Sequence, residues 1–298
     1  MDKSAIKICP ICGNSDISHF ADCTDHEVSG ETYSLLRCDR CGLILTDNPP
    51  EGEERSAYSK LEQELGQAHH PQKLVEYLFF HARFFSIRWK QRLVEQITRM
   101  TRGRILNYGA ESGYFSSRMS DRGWHVTSLE EHHEKRVFSL EMFHHRMMEL
   151  SEIDNLPHQS FDAITLWHTL EHQDDPDAIA DKLKGTLKSN GLIFIAVPNT
   201  DSYDAAYYGR YWAAWDVPRH RWHFNTESMI RFGCRHGLVL MHHRGMPLDV
   251  FYISLLSERN RGGRFWFVKG LARGAVFRFK SRKHRDRSSS IVYVFRKA

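Results

Sequence analysis

The sequence predicts an α/β protein: a mostly parallel sheet with helices on both faces, preceded by a small cysteine-rich module. Three observations carry this expectation. Short β-type runs alternate with helix-compatible ones from Gly103 onward, the first of them ends in a glycine turn (Gly109 to Gly113), and five of the six cysteines fall within the first 41 residues. Strands that alternate with helices cannot pair as hairpins, so they line up in parallel and bury both faces of the sheet.

The elements follow in chain order. "CPICG" and "CDRCG" place Cys9, Cys12, Cys38 and Cys41 in two Cys-x2-Cys knuckles separated by 25 residues. Two thiolates two residues apart grip one tetrahedral ion, and four close its coordination shell, so the expected ligand is a structural Zn2+. A module of this size cannot bury enough core to fold unaided, and the metal supplies the missing stability. Two disulfides or free thiols are the alternatives, disfavoured in a chain with no apolar run resembling a secretion leader. With no stretch of the length needed to span a membrane either, the expected location is the cytoplasm.

"TDNPPEGEE" reads as a linker. A helical stretch follows, with Leu74, Leu78, Ala82, Phe85, Trp89, Leu93, Ile97 and Met100 on one apolar stripe and Phe79, Phe80 and Phe84 outside it. "RILNY" is the first strand, "YFSSRMSDRG" a helix, "WHVTSLE" a strand, "HEKRVFSLEMF" a helix and "FDAITLW" a strand. Asp174 or Asp175 caps the next helix, with Pro176 in its first turn, and "SNG" (189–191) turns into the strand "LIFIAVP". The expected domains are a zinc ribbon at 1–50, a linker and helical segment at 51–102, and an α/β domain at 103–298 interrupted by an excursion at about 246–288.

Ligands of such sheets bind at the carboxyl ends of the strands. There the sequence collects Asn107 and the glycine turn, then Glu130, an acid spaced to accept ribose hydroxyls, then Trp167 and His168, then Pro198 and Asn199. The order "ILNYGAESGYF…VTSLE…FDAITLWHTLEH…LKSNGLIFIAVPN…DVPRHRWHF" resembles the class I S-adenosylmethionine-dependent methyltransferases, in particular bacterial members with an N-terminal zinc ribbon. The resemblance implies a Rossmann-like, doubly wound, seven-stranded sheet. It also implies a cofactor site at Asn107, Gly109, Ala110, Glu111, Gly113, Glu130, Glu152, Ile153 and Trp167. In it Gly109 and Gly113 let the backbone approach the methionine half, Glu130 holds the ribose, and Glu152 and Ile153 line the adenine.

Two departures from the family pattern stand out. Asn107 replaces the usual aspartate, and Glu111 replaces the middle glycine. If that middle position needs a left-handed backbone, a Glu there costs about 1–2 kcal/mol. Its carboxylate either repels that of the cofactor or pairs with the α-ammonium that Asn107 no longer neutralises.

For chemistry, the candidate bases are His220, then His172, with His168 beside the donor methyl. Glu171 and His172 also read as a turn that orients the next helix, and with His168 they form a ligand set for a divalent ion. Eight aromatics between Tyr203 and Phe224, with Arg210, Arg219 and Arg221, suit a sugar and a phosphate.

The expected function is methylation of a small molecule, on the oxygen of a sugar or cell-envelope precursor. The alternatives are an RNA methyltransferase and a non-catalytic binding protein with a spoiled loop. Nucleic acid is the less favoured partner, because no Asn/Asp-Pro-Pro-aromatic motif follows "FDAITLW". The net charge of +4 hides an asymmetry: residues 259–298 carry +12 and the rest of the chain −8. Within 246–288 the mixture of aromatics and cations fits contact with an anionic membrane or, the favoured reading, a segment covering the sheet with its cations in water. The sequence leaves the oligomeric state open.

Overall fold

The computed structural model describes residues 7–50 and 74–298. Residues 51–73 of the expected linker, and the side chains of Leu74, Leu78, Phe79 and Phe80, lie outside the described residues. The chain divides into two compact units. One comprises the described part of Met1–Arg55, with Leu170–Asp174 and Ala196–Tyr293; the other the described part of Ser56–Thr169, with Asp175–Ile195 and Val294–Ala298.

In the first unit β1 (Ile17–Thr24), β2 (Thr32–Cys38) and β3 (Ile44–Thr46) form an antiparallel ribbon. Its fourth strand is β8 (Trp222–His223), paired to β3 through Ile44 opposite His223 and Leu45 opposite Trp222. The "WHF" stretch is therefore built into the same sheet as the cysteine module, a pairing that no local pattern announces.

The central sheet contains β4 (Arg104–Tyr108), β5 (His125–Leu129), β6 (Phe161–Trp167), β7 (Leu187–Pro198), β9 (Leu238–Gly245) and β10 (Ser290–Lys297), in the order β5-β4-β6-β7-β10-β9. Among the described residues it has six strands, where the resemblance implied seven. Strand β4 pairs parallel with both neighbours, Ile105 facing Val126 on one side and Ala163 on the other. Ile105, Leu106, Ala163 and Ile164 are wholly buried, as strands covered on both faces require.

Helix α1 (Leu74–Thr98) forms as expected, and its buried side takes in Leu93 of the expected stripe but not Phe85. Ile87, Gln91 and Val94, at helical spacing, are buried together with Leu93, whereas Phe85 is 55% exposed. Phe84 is turned instead toward Tyr114, ring centroids 6.3 Å apart. Helices α2 (Tyr114–Asp121) and α3 (His133–Phe143) follow β4 and β5. Helix α4 (Pro176–Thr186) is capped by Asp175, whose carboxylate accepts from the Ala178 amide at 2.9 Å.

The expected "SNG" turn is not a turn: those residues already belong to β7, which starts at Leu187 directly after α4. Gly191 serves close approach there, since a Cβ on it would lie 2.9 Å from the Phe161 carbonyl oxygen. After β7, α5 (Tyr203–Tyr208), α6 (Thr226–Arg235), α7 (Asp249–Asn260) and α8 (Trp266–Lys283) complete the chain's helices among the described residues.

Candidate functional site

The glycine turn has the backbone that its sequence demands. Gly109, Glu111 and Gly113 all have positive φ, at 71°, 49° and 82°. A Cβ at Gly109 would lie 2.3 Å from Thr169 Cγ2, and one at Gly113 would lie 2.4 Å from Ser139 Oγ. Both glycines are thus required by packing as well as by backbone hand. Gly109 and Ala110 donate their amides to the Leu129 carbonyl, each at 2.9 Å, which fastens the turn to the end of β5.

Glu130 follows that strand end and is 3% exposed. Its Oε2 accepts the Glu111 amide at 2.6 Å and its Oε1 the His132 amide at 3.1 Å, with Lys135 Nζ at 4.0 Å. Burial holds its carboxyl above the ordinary value; Lys135 and the His132 amide oppose this, and the neighbouring Glu111 adds to it. Each carboxylate oxygen accepts more than one hydrogen bond, so the pair of oxygens retains capacity for a diol.

Asn107 has a different job from the one the resemblance suggested. It is buried, its Nδ2 donating to Ser116 Oγ at 3.0 Å and its Oδ1 accepting from Thr165 Oγ1 at 2.9 Å. Ser116 Oγ lies 2.8 Å from Ser128 Oγ, which lies 2.8 Å from His145 Nε2. The amide is therefore one member of a buried polar chain from β6 through β4 and α2 to His145, and its side chain is turned inward. Nothing in the linear sequence marked Ser116, Ser128 or His145, because their relation exists only once strand and helix pack.

Glu152 is also partly committed. Its Oε1 accepts the Glu149 amide at 3.0 Å in a capping box that opens the short helix Leu150–Asn155, and Ile153 of that helix is buried. At the end of β6, Trp167 is 5% exposed and its ring meets Phe115 at 5.3 Å and Lys90 Nζ at 4.9 Å. Its Nε1 is buried with no hydrogen-bond acceptor among the described residues. His168 sits in the left-handed region, φ 58°, a strained setting for a non-glycine residue.

In the other unit, Glu171, His172 and His220 converge, with ligand-capable atoms all within 4.8 Å of one another. His168 is not in that group. The rings of His172 and His220 meet edge to face at 4.6 Å. His220 Nδ1 lies 2.9 Å from the Ala214 carbonyl, an acceptor only, so Nδ1 carries the proton and Nε2 presents a lone pair. Complete burial pushes its pKa down to about 4, partly offset by Asp216. Asp216 itself is gripped by Arg219 through both carboxylate oxygens, with contacts of 2.6 and 2.7 Å. Thr46, 174 residues away in sequence, donates to the His220 carbonyl at 2.6 Å and contacts His223 Nε2 at 2.9 Å.

The aromatic and arginine expectations change accordingly. Trp212, Tyr208, Trp215 and Phe224 are core residues, Trp212 Nε1 donating to buried Asp204 at 2.8 Å and Trp215 Nε1 to the Gly209 carbonyl at 2.8 Å. Arg221 pairs with Asp174 at 2.7 Å, and Arg210 lies over Tyr211. Four of the eight aromatics are thus core residues, while Tyr203, Tyr207, Tyr211 and Trp222 keep accessible surface, as does Arg210.

The four cysteines do meet. Cys9 Sγ lies 3.6 Å from Cys41 Sγ and Cys12 Sγ 3.5 Å from Cys38 Sγ, all four within one cluster and none in a disulfide. Burial pushes the Cys9 thiol up to about 11, whereas at Cys38 burial is outweighed by the Cys41 and Arg40 amides, which bring the thiol down to about 7. Cys23 lies outside the cluster, buried in the apolar core with Leu35 and Trp215.

A family model described as a methyltransferase domain matches residues 79–243. No curated protein matches the chain. Among solved structures, it is similar to a 1,6-didemethyltoxoflavin-N1-methyltransferase of Burkholderia thailandensis, with 12% identity, 92% of this chain and 99% of that one covered, and a TM-score of 0.50. A putative sarcosine dimethylglycine methyltransferase from Galdieria sulphuraria shares 14% identity over 73% of this chain and 87% of its own, with a TM-score of 0.52. At such identities the likeness is one of fold.

Proposed function

This chain belongs to the methyltransferase-domain family, and we propose that it transfers the methyl group of S-adenosylmethionine to an oxygen of a small molecule, a sugar or cell-envelope precursor. Bound there, the cofactor would supply an electrophilic methyl on a sulfonium. The observation that carries the reading is buried Glu130 at the end of β5, its two oxygens each held by one backbone amide and each keeping capacity for a hydroxyl. A carboxylate kept dry in this way is costly unless it accepts further donors, and a ribose diol provides two.

In this proposal Gly109, Ala110 and Gly113 bring backbone close to the methionine half and Ile153 packs on the adenine. Trp167 Nε1 supplies a buried donor at the end of β6. Glu111 takes the cofactor's ammonium, replacing the charge that Asn107 does not carry. The base is His172, which is only partly buried and lies beside Glu171. His220, held neutral, is better suited to accept a hydrogen bond through Nε2 than to take the proton. Cys9, Cys12, Cys38 and Cys41 hold a structural Zn2+ in the ribbon at 1–50, and the catalytic domain runs over 103–298.

The test is a methyl-transfer assay with labelled S-adenosylmethionine against a panel of free and nucleotide-linked sugars, with ribosomal RNA in parallel. Label should enter a sugar hydroxyl and fall at least a hundredfold in His172→Ala, the usual scale of a general base. Label entering only RNA, or full activity in His172→Ala, would refute the substrate class or the base respectively.

A further inference from the structure

Helices α7 and α8 form a hairpin in the first unit, and their packing inverts the arrangement expected from sequence. The inward face of α8 consists of Gly270, Gly274, Phe277 and Ser281, at helical spacing and all buried. A Cβ at Gly270 would lie 2.7 Å from Leu255 Cα, and one at Gly274 would lie 3.1 Å from Phe251 Cα. The two backbones are therefore in near contact through small residues, and the large apolar side chains of α8 are left on its outer side. Phe265, Val268 and Phe279 are 65%, 65% and 63% exposed, and Val276 lies on the same side.

Cations flank this outward stripe. By helical position, Lys269, Arg273 and Lys280 lie along one edge and Arg278 and Arg282 along the other. From Arg261 to Arg285 there are nine Lys and Arg and no acid. The Arg273 guanidinium and the Lys280 ammonium lie over the Tyr207 and Tyr203 rings, at 4.7 and 5.7 Å, so that edge is tied to α5, while Lys269 and Arg282 are exposed. Burial, and after it the charges of Arg282 and Arg244, holds the Arg278 guanidinium below its ordinary value.

We propose that the outer face of α8 docks on an anionic phospholipid bilayer. The helix lies flat, Phe265, Val268, Val276 and Phe279 enter the boundary between headgroups and acyl chains, and the flanking cations meet lipid phosphates. Charge selects this occupant. A second copy placed symmetrically on the face would oppose cation to cation, and a nucleic acid would satisfy the cations but leave the aromatic stripe in water. The inference is independent of the methyl-transfer reading, since it uses none of the residues of that site.

Full-length, zinc-replete protein is floated with phosphatidylcholine vesicles with and without phosphatidylglycerol. The wild type should float with the anionic vesicles alone, less as salt rises. Phe265→Ser/Phe279→Ser should weaken this by roughly tenfold or more, and Lys269→Gln and Arg282→Gln by about fivefold each. Unchanged melting temperatures establish that the variants are folded, as expected of exposed positions. Failure of the wild type to float on anionic vesicles overturns the proposal. So does flotation undiminished in the double Phe variant, which would mean charge binding alone. A wild-type dimer that the double variant dissociates, without vesicle binding, would assign the face to a second copy instead.

Discussion

Replacing Glu111 by Gly should move stability and cofactor affinity in opposite directions. Glu111 holds φ at 49°, where a side chain costs about 1–2 kcal/mol and glycine almost nothing. The glycine also frees the unfolded chain, which takes back roughly 0.5–1 kcal/mol. The net expectation is a variant more stable by about 0.5–1 kcal/mol. The Glu111 amide that donates to Glu130 is retained, so the turn should keep its shape. The carboxylate, by contrast, is the charge proposed to meet the cofactor's ammonium. A lost charge-assisted hydrogen bond is worth about 1.5–3 kcal/mol, or a weakening of roughly ten- to a hundredfold. Urea denaturation at neutral pH reads the first quantity and calorimetric titration with S-adenosylmethionine the second. A variant that is more stable and binds more tightly would show that the carboxylate is an obstruction rather than a ligand.

Three further outcomes are expected. His220 is a base whose folded pKa, about 4, lies below its ordinary 6.5; its contribution to stability is complete above pH 6.5 and is lost as pH falls toward 4. His220→Gln should remove up to about 3 kcal/mol of that acid sensitivity, read from denaturation midpoints across the window. Metal analysis should find one Zn2+ per chain; Cys38→Ser or a strong chelator should release it and broaden amide signals of β1 to β3, whereas retention of those signals without metal would count against the ribbon. Asn107→Leu removes one buried partner each from Ser116 and Thr165 and should cost about 1–3 kcal/mol in denaturant, while a loss below 0.5 kcal/mol, roughly the level of a neutral surface change, would mean that the polar chain is dispensable.

The parts of this molecule legible in its sequence are those fixed by neighbours in the chain. The two cysteine knuckles, the left-handed turn at Gly109 to Gly113, the cap at Asp175 and the acid after β5 each announce themselves within a few residues. What the sequence concealed depends on distant partners. Asn107 faces inward because Ser116 and Thr165 arrive from α2 and β6. His220 loses basicity because burial disfavours its charged form, and the Ala214 carbonyl fixes its tautomer. Trp212 and Trp215 became core once Asp204 and the Gly209 carbonyl took up their indole donors. Helix α1 buries Ile87 and Val94 rather than Phe85, although both faces are apolar enough to satisfy a helical pattern. The outward stripe on α8 is the plainest case: sequence shows an amphipathic segment, and only the close approach at Gly270 and Gly274 decides which side is inside.

Cofactor binding at Glu130 is tested by calorimetric titration of zinc-replete wild type and Glu130→Ala with S-adenosylmethionine and S-adenosylhomocysteine. Both compounds should bind the wild type with micromolar affinity, on the order of −8 kcal/mol, and neither should bind Glu130→Ala measurably, with circular dichroism showing both proteins folded. Absence of binding in the folded wild type would contradict the proposed function and leave a methyltransferase fold that does not take the methyl donor.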